Sequence, residues 1–215
     1  MNLADLVSPA VAGDLLVVPL GSTEQHGPHL PLSTDTDVAT ALASRFAQRR
    51  PGTLVAPALP YGASGEHSGF PGTLSIGQQA LELVLVELVR STELRVLLLN
   101  GHGGNLEPVR RAVALLQHEG RDVRAWGPRF GGDAHAGRTE TSVLLALGRP
   151  VGDERPVGAT EPVAELMTAL RAGGVRAVSD NGVLGDARGA SAEEGEMLLA
   201  GAVEDLEAFV SGWRA

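Results

Sequence analysis

Three short segments of this chain gather the residue types that bind metals and move protons. The first runs Gly21-Ser22-Thr23-Glu24-Gln25-His26-Gly27-Pro28-His29-Leu30-Pro31 and on to Asp35. In extended backbone, residues two apart project to the same side, so Glu24 and His26 can converge on one point. Pro28 and Pro31 fix φ in the following loop and can hold Asp35 against that pair at low entropic cost. A plainer reading stays open, in which His26 is a hydrogen-bonded loop residue, Glu24 a solvated charge and Asp35 the cap of a helix starting at Asp37. The second segment, Asn100-Gly101-His102-Gly103-Gly104-Asn105, puts a histidine in an open turn, with Asn105 placed as an N-cap. Such a turn can equally hold a phosphate on its backbone N–H groups. In the third, Gly131-Gly132-Asp133-Ala134-His135-Ala136-Gly137-Arg138-Thr139-Glu140-Thr141-Ser142, a loop imidazole precedes a carboxylate near a first helical turn. One can shuttle protons while the other binds metal, although Glu140 also suits an ordinary first-turn carboxylate favoured by the helix dipole.

Brought together without cations, Glu24, Asp35 and Glu140 would repel, and at least one would be pushed neutral. One or two divalent ions remove the conflict. With His26 and His102 the carboxylates form a set suited to Zn²⁺, Mn²⁺ or Fe²⁺, with Asp35 in the middle able to bridge. Metal lowers the pKa of water towards about 7 and polarises an amide carbonyl, and His135 is the candidate to protonate the leaving nitrogen.

The elements that must position these residues are those of an α/β fold: short Val/Leu runs alternate with stretches of helical period. Strands are expected at Asp14 to Leu20, Thr53 to Ala58, Leu94 to Leu99 and Asp122 to Trp126. Helices are expected at Asp37 to Gln48, Gln78 to Arg90, Leu106 to Glu119, Glu140 to Leu147, Glu161 to Ala172 and Ala192 to Val210. In the last helix Leu199, Val203, Leu206, Val210 and Trp213 form an apolar stripe that reads as core or subunit contact. Glycines cluster after the predicted strands, the sheet edge where ligands bind in such folds. A length of 215 residues predicts one domain spanning 1–215, and the turn-rich stretch from Ser179 to Gly189 reads as a loop within it.

Composition narrows the partners. A net charge of −9, with no basic stripe, argues against nucleic acid. The absence of cysteine excludes disulfides and thiolate ligands. No signal sequence or run of about 18 apolar residues is present, so no membrane partner and a cytoplasmic location are expected. Glu66, His67 and Phe70, in a glycine-rich loop, are candidate walls of a substrate pocket. His29 is a candidate to orient a metal ligand, and His118 reads as a surface residue at a helix end.

Taken with Phe70-Pro71-Gly72-Thr73, the three segments resemble the creatininase (creatinine amidohydrolase) family over most of the chain. The resemblance implies a three-layer α/β/α fold with a mostly parallel sheet, a two-metal site, hydrolysis of cyclic or related amides, and a homo-oligomer. It places Glu24, His26, Asp35 and His102 on the family's metal ligands and His135 on its active-site histidine. Creatinine-hydrolysing members carry a metal-binding Glu where this chain has Gly104, so one ligand is missing unless Glu140 supplies it. They also place tryptophan shortly before the active-site histidine, where Gly131-Gly132-Asp133-Ala134 stands here, and creatinine is accordingly not the expected substrate. Within the family, Tyr61-Gly62-Ala63-Ser64-Gly65-Glu66-His67, the 131–137 run and the 173–186 segment are similar to the mycofactocin-system peptidases. That likeness implies release of a C-terminal Val-Tyr dipeptide from a modified precursor peptide. The alternatives are a lactam or formamide amidohydrolase of the same family, or a non-catalytic metal- or phosphate-binding protein.

Overall fold

In a computed structural model, described here for residues 1–213, four strands form one fully parallel sheet: β1 (Leu15–Leu20), β2 (Thr53–Val55), β3 (Arg95–Asn100) and β4 (Val123–Trp126), in the order β2-β1-β3-β4. Every residue of β1 is buried, as are all of β3 but Arg95, because both faces of the sheet are covered. Side-chain alternation divides each strand between two cores. Leu15 and Val17 of β1, with Leu97 and Leu99 of β3, pack on α1 (Thr34–Arg49), α4 (Arg138–Ala146) and α6 (Ala192–Ser211). Leu16, Val18, Val96 and Leu98 face α2 (Gln78–Arg90) and α3 (Leu106–His118). The expected three-layer α/β/α arrangement is therefore present, and the stripe of Leu199, Val203, Leu206 and Val210 on α6, with Trp213 just beyond it, is core.

Several boundaries differ from the sequence reading. Strand β2 stops at Val55 rather than Ala58. Ala56 still donates to the Val17 carbonyl, but Pro57 lacks an N–H and cannot extend a ladder. Helix α1 begins at Thr34, three residues before the expected start, so Asp35 sits inside its first turn with Asp37 rather than capping it. Two acidic groups there complement the positive end of the helix. Helix α4 begins at Arg138 instead of Glu140, and Asp133 closes its start by accepting N–H groups of Arg138 (2.6 Å) and Thr139 (3.1 Å). Helix α5 (Val163–Gly173) starts two residues later than expected, after Pro162. Asn105 does not cap α3. Its amide instead accepts from Ala63 N–H (2.9 Å) and donates to the Gly21 carbonyl (3.0 Å), tying the loop after β1 to the loop after β2.

The chain moves to one side of β1 through α1 and to the other through α2, so the carboxyl ends of β1 and β3 flank a point where strand order reverses, the usual place for a ligand crevice. No helix of the described residues is long and apolar enough to cross a membrane. Helices α4 and α6 cross closely at Gly195, where an added Cβ would meet the Ser142 carbonyl oxygen at 2.0 Å, whereas a Cβ at Gly201 of the same helix meets nothing within 4 Å. Gly195→Ala should therefore cost about 1–3 kcal/mol by overpacking, and Gly201→Ala should stabilise by about 0.5–1 kcal/mol. Urea unfolding of the two variants checks the opposite signs, and equal shifts would contradict the packing described.

Candidate metal centre

Five of the residues singled out from sequence converge at that edge. Glu24 and His26 follow β1, Asp35 arrives on the first turn of α1, His102 follows β3 and Glu140 projects from the start of α4. Gly101 permits this closeness: a Cβ there would stand 2.6 Å from the Asp35 carbonyl oxygen. His26 Nε2 lies 3.2 Å from Asp35 Oδ1 and 3.9 Å from Glu140 Oε2. His102 bridges the opposite side, with Nδ1 3.1 Å from Asp35 Oδ2 and Nε2 3.1 Å from Glu24 Oε2. Two triads result, Glu24/Asp35/His102 and His26/Asp35/Glu140, each with one ligand-type atom per residue and all such atoms within 4.8 Å of one another. Asp35 belongs to both. A third group, Glu24/His26/His135, meets the same criterion.

The Gly104 departure has a spatial counterpart. A side chain at 104 is excluded, since its Cβ would be 2.4 Å from Glu66 Oε1 and 2.5 Å from His102 Nε2. Glu66 fills that space with its carboxylate 3.6 Å from His102 Nε2, while Glu140 stands beside His26 and Asp35. Glu140 is anchored by Ala136 N–H, which donates to its Oε2 (2.6 Å). Ala136 is buried at φ 53°, a left-handed conformation that costs a non-glycine residue about 1–3 kcal/mol and here directs His135 and Glu140 into one site.

Hydrogen-bond partners assign the imidazole tautomers. His26 Nδ1 donates to the Glu24 carbonyl (3.1 Å), leaving Nε2 for the carboxylates. Gln25, which the sequence reading passed over, organises two more rings. Its Oε1 accepts from Gly27 N–H (2.9 Å), and its Nε2 donates to the Gly182 carbonyl (3.1 Å) and His67 Nδ1 (2.8 Å). His67 therefore carries its proton on Nε2, 3.3 Å from Glu24 Oε1. His135 Nε2 donates to the Gln25 main-chain carbonyl (2.9 Å) and also stands 3.1 Å from the Gln25 side-chain amide nitrogen, and its Nδ1 faces Glu24 Oε1 at 4.0 Å. The rings of His26 and His67 stand 4.3 and 4.5 Å from that of His135. Among the described residues, His29 makes no hydrogen bond or ion pair with a member of either triad. Its ring donates to Thr141 Oγ1 (2.9 Å) and braces α4 beside Glu140. His118 is exposed at the end of α3, and Phe70 is half-buried on the rim.

Charge explains what the cluster lacks. Glu24 is 0% exposed, and no group is aligned to hydrogen-bond either carboxylate oxygen, although His102 Nε2 and His67 Nε2 stand 3.1 and 3.3 Å away. Burial, reinforced by the charge of Asp35, pushes its pKa up to about 7. Burial likewise raises Glu140. Burial alone would raise Asp35 too, but His26 and His102 hold it well below the usual carboxylate range. Both imidazoles would be lowered by burial, but the surrounding carboxylates, Asp35 foremost, lift His26 to about 10 and His102 to about 9. His67 is driven to about 3 by burial and the charges of His26 and His102. His135 is pushed well below its ordinary value by burial and then His26. A buried, unpartnered carboxylate beside two imidazoles that protonate for want of another cation fits divalent-metal ligation in both triads.

The creatininase (creatinine amidohydrolase) family model matches residues 1–210. The chain belongs to the creatininase family. It is 50% identical over 212 residues to the mycofactocin precursor peptide peptidase of Mycolicibacterium smegmatis, covering 93% of this chain and 85% of that one. With the creatinine amidohydrolase of Pseudomonas putida it shares 32% identity over 234 residues, 91% of this chain and 88% of the relative. A solved creatinine amidohydrolase superposes with a TM-score of 0.80 at 25% identity, covering 100% and 98% of the two chains. Creatininases of known structure include a Zn-Zn type and a Mn form. The chain is thus a hydrolase of a metal-dependent amidohydrolase family.

Removing metal with a chelator should expose the cluster's proton affinity. Unfolded imidazoles titrate near 6.5, while folded His26 and His102 hold protons to about 10 and 9. Their raised values stabilise the stripped fold at low pH, and that contribution is lost as pH rises from about 7 to 9. Stability in denaturant should fall by up to about 1.4 kcal/mol per pH unit for each imidazole. A stripped protein whose stability is level or rising across that window contradicts the electrostatics.

Proposed function

We propose that this chain is a metallopeptidase that releases a C-terminal Val-Tyr dipeptide from a modified mycofactocin precursor peptide. The observation that carries the reading is the pair of triads sharing Asp35 around an unpartnered Glu24. Identity of about half with named precursor peptidases supports the substrate. Glu24, Asp35 and His102 would hold one divalent ion and His26, Asp35 and Glu140 a second. A donor set of nitrogen and oxygen suits Zn²⁺, Fe²⁺ or Mn²⁺. Bound there, such ions lower the pKa of water and polarise the amide carbonyl.

The remaining groups handle protons and substrate. His135, neutral with Nδ1 open, takes a proton from the attacking water and returns it to the departing nitrogen. His67, beside Glu66 on the pocket loop, turns its Nε2 proton towards Glu24 Oε1 and steadies that carboxylate's charge. Glu66, half-buried at the mouth, accepts an N–H from the substrate, and Phe70 walls the pocket. Gln25 holds both neutral histidines in the tautomers these roles require. The setting that goes with this reading is a cytoplasmic homo-oligomer, with neither nucleic acid nor membrane as partner.

Incubating the modified precursor with metal-loaded protein should yield Val-Tyr by mass spectrometry, and an unchanged precursor would reject the substrate. His135→Ala should keep its metal content while losing about 100- to 10,000-fold in kcat. Full turnover in that variant would remove His135 from the reaction.

A further inference from the structure

A peptidase that removes a dipeptide must recognise where the chain ends, and its site here is crowded with carboxylates. A free terminal carboxylate would be repelled by Glu66 and drawn towards any bound metal, so a cation set apart from the centre is needed to hold it in register. The terminal carboxylate lies two residues beyond the scissile amide, an extended span of about 7 Å.

Such a cation stands against the loop that delivers Glu66 and His67. Gly65–His67 form a short 3-10 turn, and Phe70 N–H closes the loop onto the His67 carbonyl (3.0 Å). A second 3-10 turn, Val175–Ala177, packs directly against it. Gly174 at φ +68° lies so close that a Cβ there would be 2.4 Å from the Glu66 carbonyl oxygen. From this turn Arg176 Nε donates to the Gly69 carbonyl (3.0 Å), and the guanidinium stacks 4.4 Å from the centroid of the Phe70 ring. The guanidinium plane is fixed by a hydrogen bond and an aromatic face, while the terminal Nη groups pair with no carboxylate among the described residues. By contrast, Arg138 and Arg149 are tied to Glu194 (2.7 Å) and Asp37 (2.9 Å). A pre-oriented, unpaired fork in a chain of net charge −9 is suited to bidentate capture of a carboxylate.

We propose that Arg176, stacked on Phe70, binds the free C-terminal carboxylate of the peptide and thereby restricts cleavage to the amide bond two residues from the chain end. This rests on the peptidase reading above. The test compares kcat/KM for the modified precursor with a free terminus and for the same precursor C-terminally amidated, using metal-loaded wild type, Arg176→Gln, Arg176→Lys and Arg171→Gln. Wild type should prefer the free acid by about 10- to 100-fold, chiefly through KM. In Arg176→Gln the preference should collapse towards one, and Arg176→Lys should fall between, keeping charge without the planar fork. Arg171, exposed on neighbouring α5, removes the same charge nearby, and its variant should keep the preference. A preference retained in Arg176→Gln, or lost equally in Arg171→Gln, overturns the inference alone. Wild type that releases no dipeptide from either substrate overturns the peptidase reading and this inference with it.

Discussion

Three carboxylates, Glu24, Asp35 and Glu140, are gathered within a few ångströms in a site largely closed to water, and like charges so placed cannot all ionise unless cations balance them. Much of the surrounding structure serves that constraint. Asp35 occupies the middle because α1 begins early enough to put it in the first turn and because Gly101 leaves no side chain between that turn and the end of β3. Ser22 Oγ donates to Asp35 Oδ2 at 2.6 Å, so the shared carboxylate is held from a third side. Without metal, His26 and His102 take protons, so the residues placed to hold a cation are also the ones that bind protons.

Around this charged centre stands a ring of neutral histidines with the opposite bias. His67 and His135 resist protonation chiefly because they are buried, and then because His26, joined at His67 by His102, holds positive charge beside them. Their tautomers are complementary, one presenting a proton and the other a lone pair towards Glu24, and both depend on Gln25. The Gln25 side-chain amide, itself locked by Gly27 and Gly182, sets the His67 tautomer, and the main-chain carbonyl of the same residue sets that of His135. Ala136, next in sequence to His135 and in a left-handed conformation, donates to Glu140 and so ties that carboxylate to the loop that carries the ring.

Much of this was legible in the sequence. The Glu24-x-His26 spacing, the His102 turn and the His135 to Glu140 interval follow from residue type and the placement of predicted strands, the α/β class follows from Val/Leu runs alternating with helical periods, and the three-layer arrangement followed from the family resemblance. Replacement of the family's glutamate by Gly104 pointed to Glu140, which the geometry places beside His26 and Asp35. What stayed hidden depended on contacts distant along the chain. Asn105 has the residue type of a cap but spends its amide on Ala63 and Gly21. Gln25 carries no chemical signature of its own, and its role exists only because the 182–184 loop folds over it. His67 read as a pocket wall, whereas the short turn at Gly65–His67 drives it into the buried centre. Helix starts were misplaced where side chains reach across space, as Asp133 does for α4.

The central claim is that Asp35 is shared between two cation sites. Metal equivalents per folded chain, measured by elemental analysis after resupply and desalting, test it directly in wild type, Glu140→Gln and Asp35→Asn. The account predicts close to two equivalents in wild type, close to one when only the His26 side is impaired by Glu140→Gln, and loss of both in Asp35→Asn. Folded wild-type protein that takes up no metal, or an Asp35→Asn variant that keeps two equivalents, would contradict it.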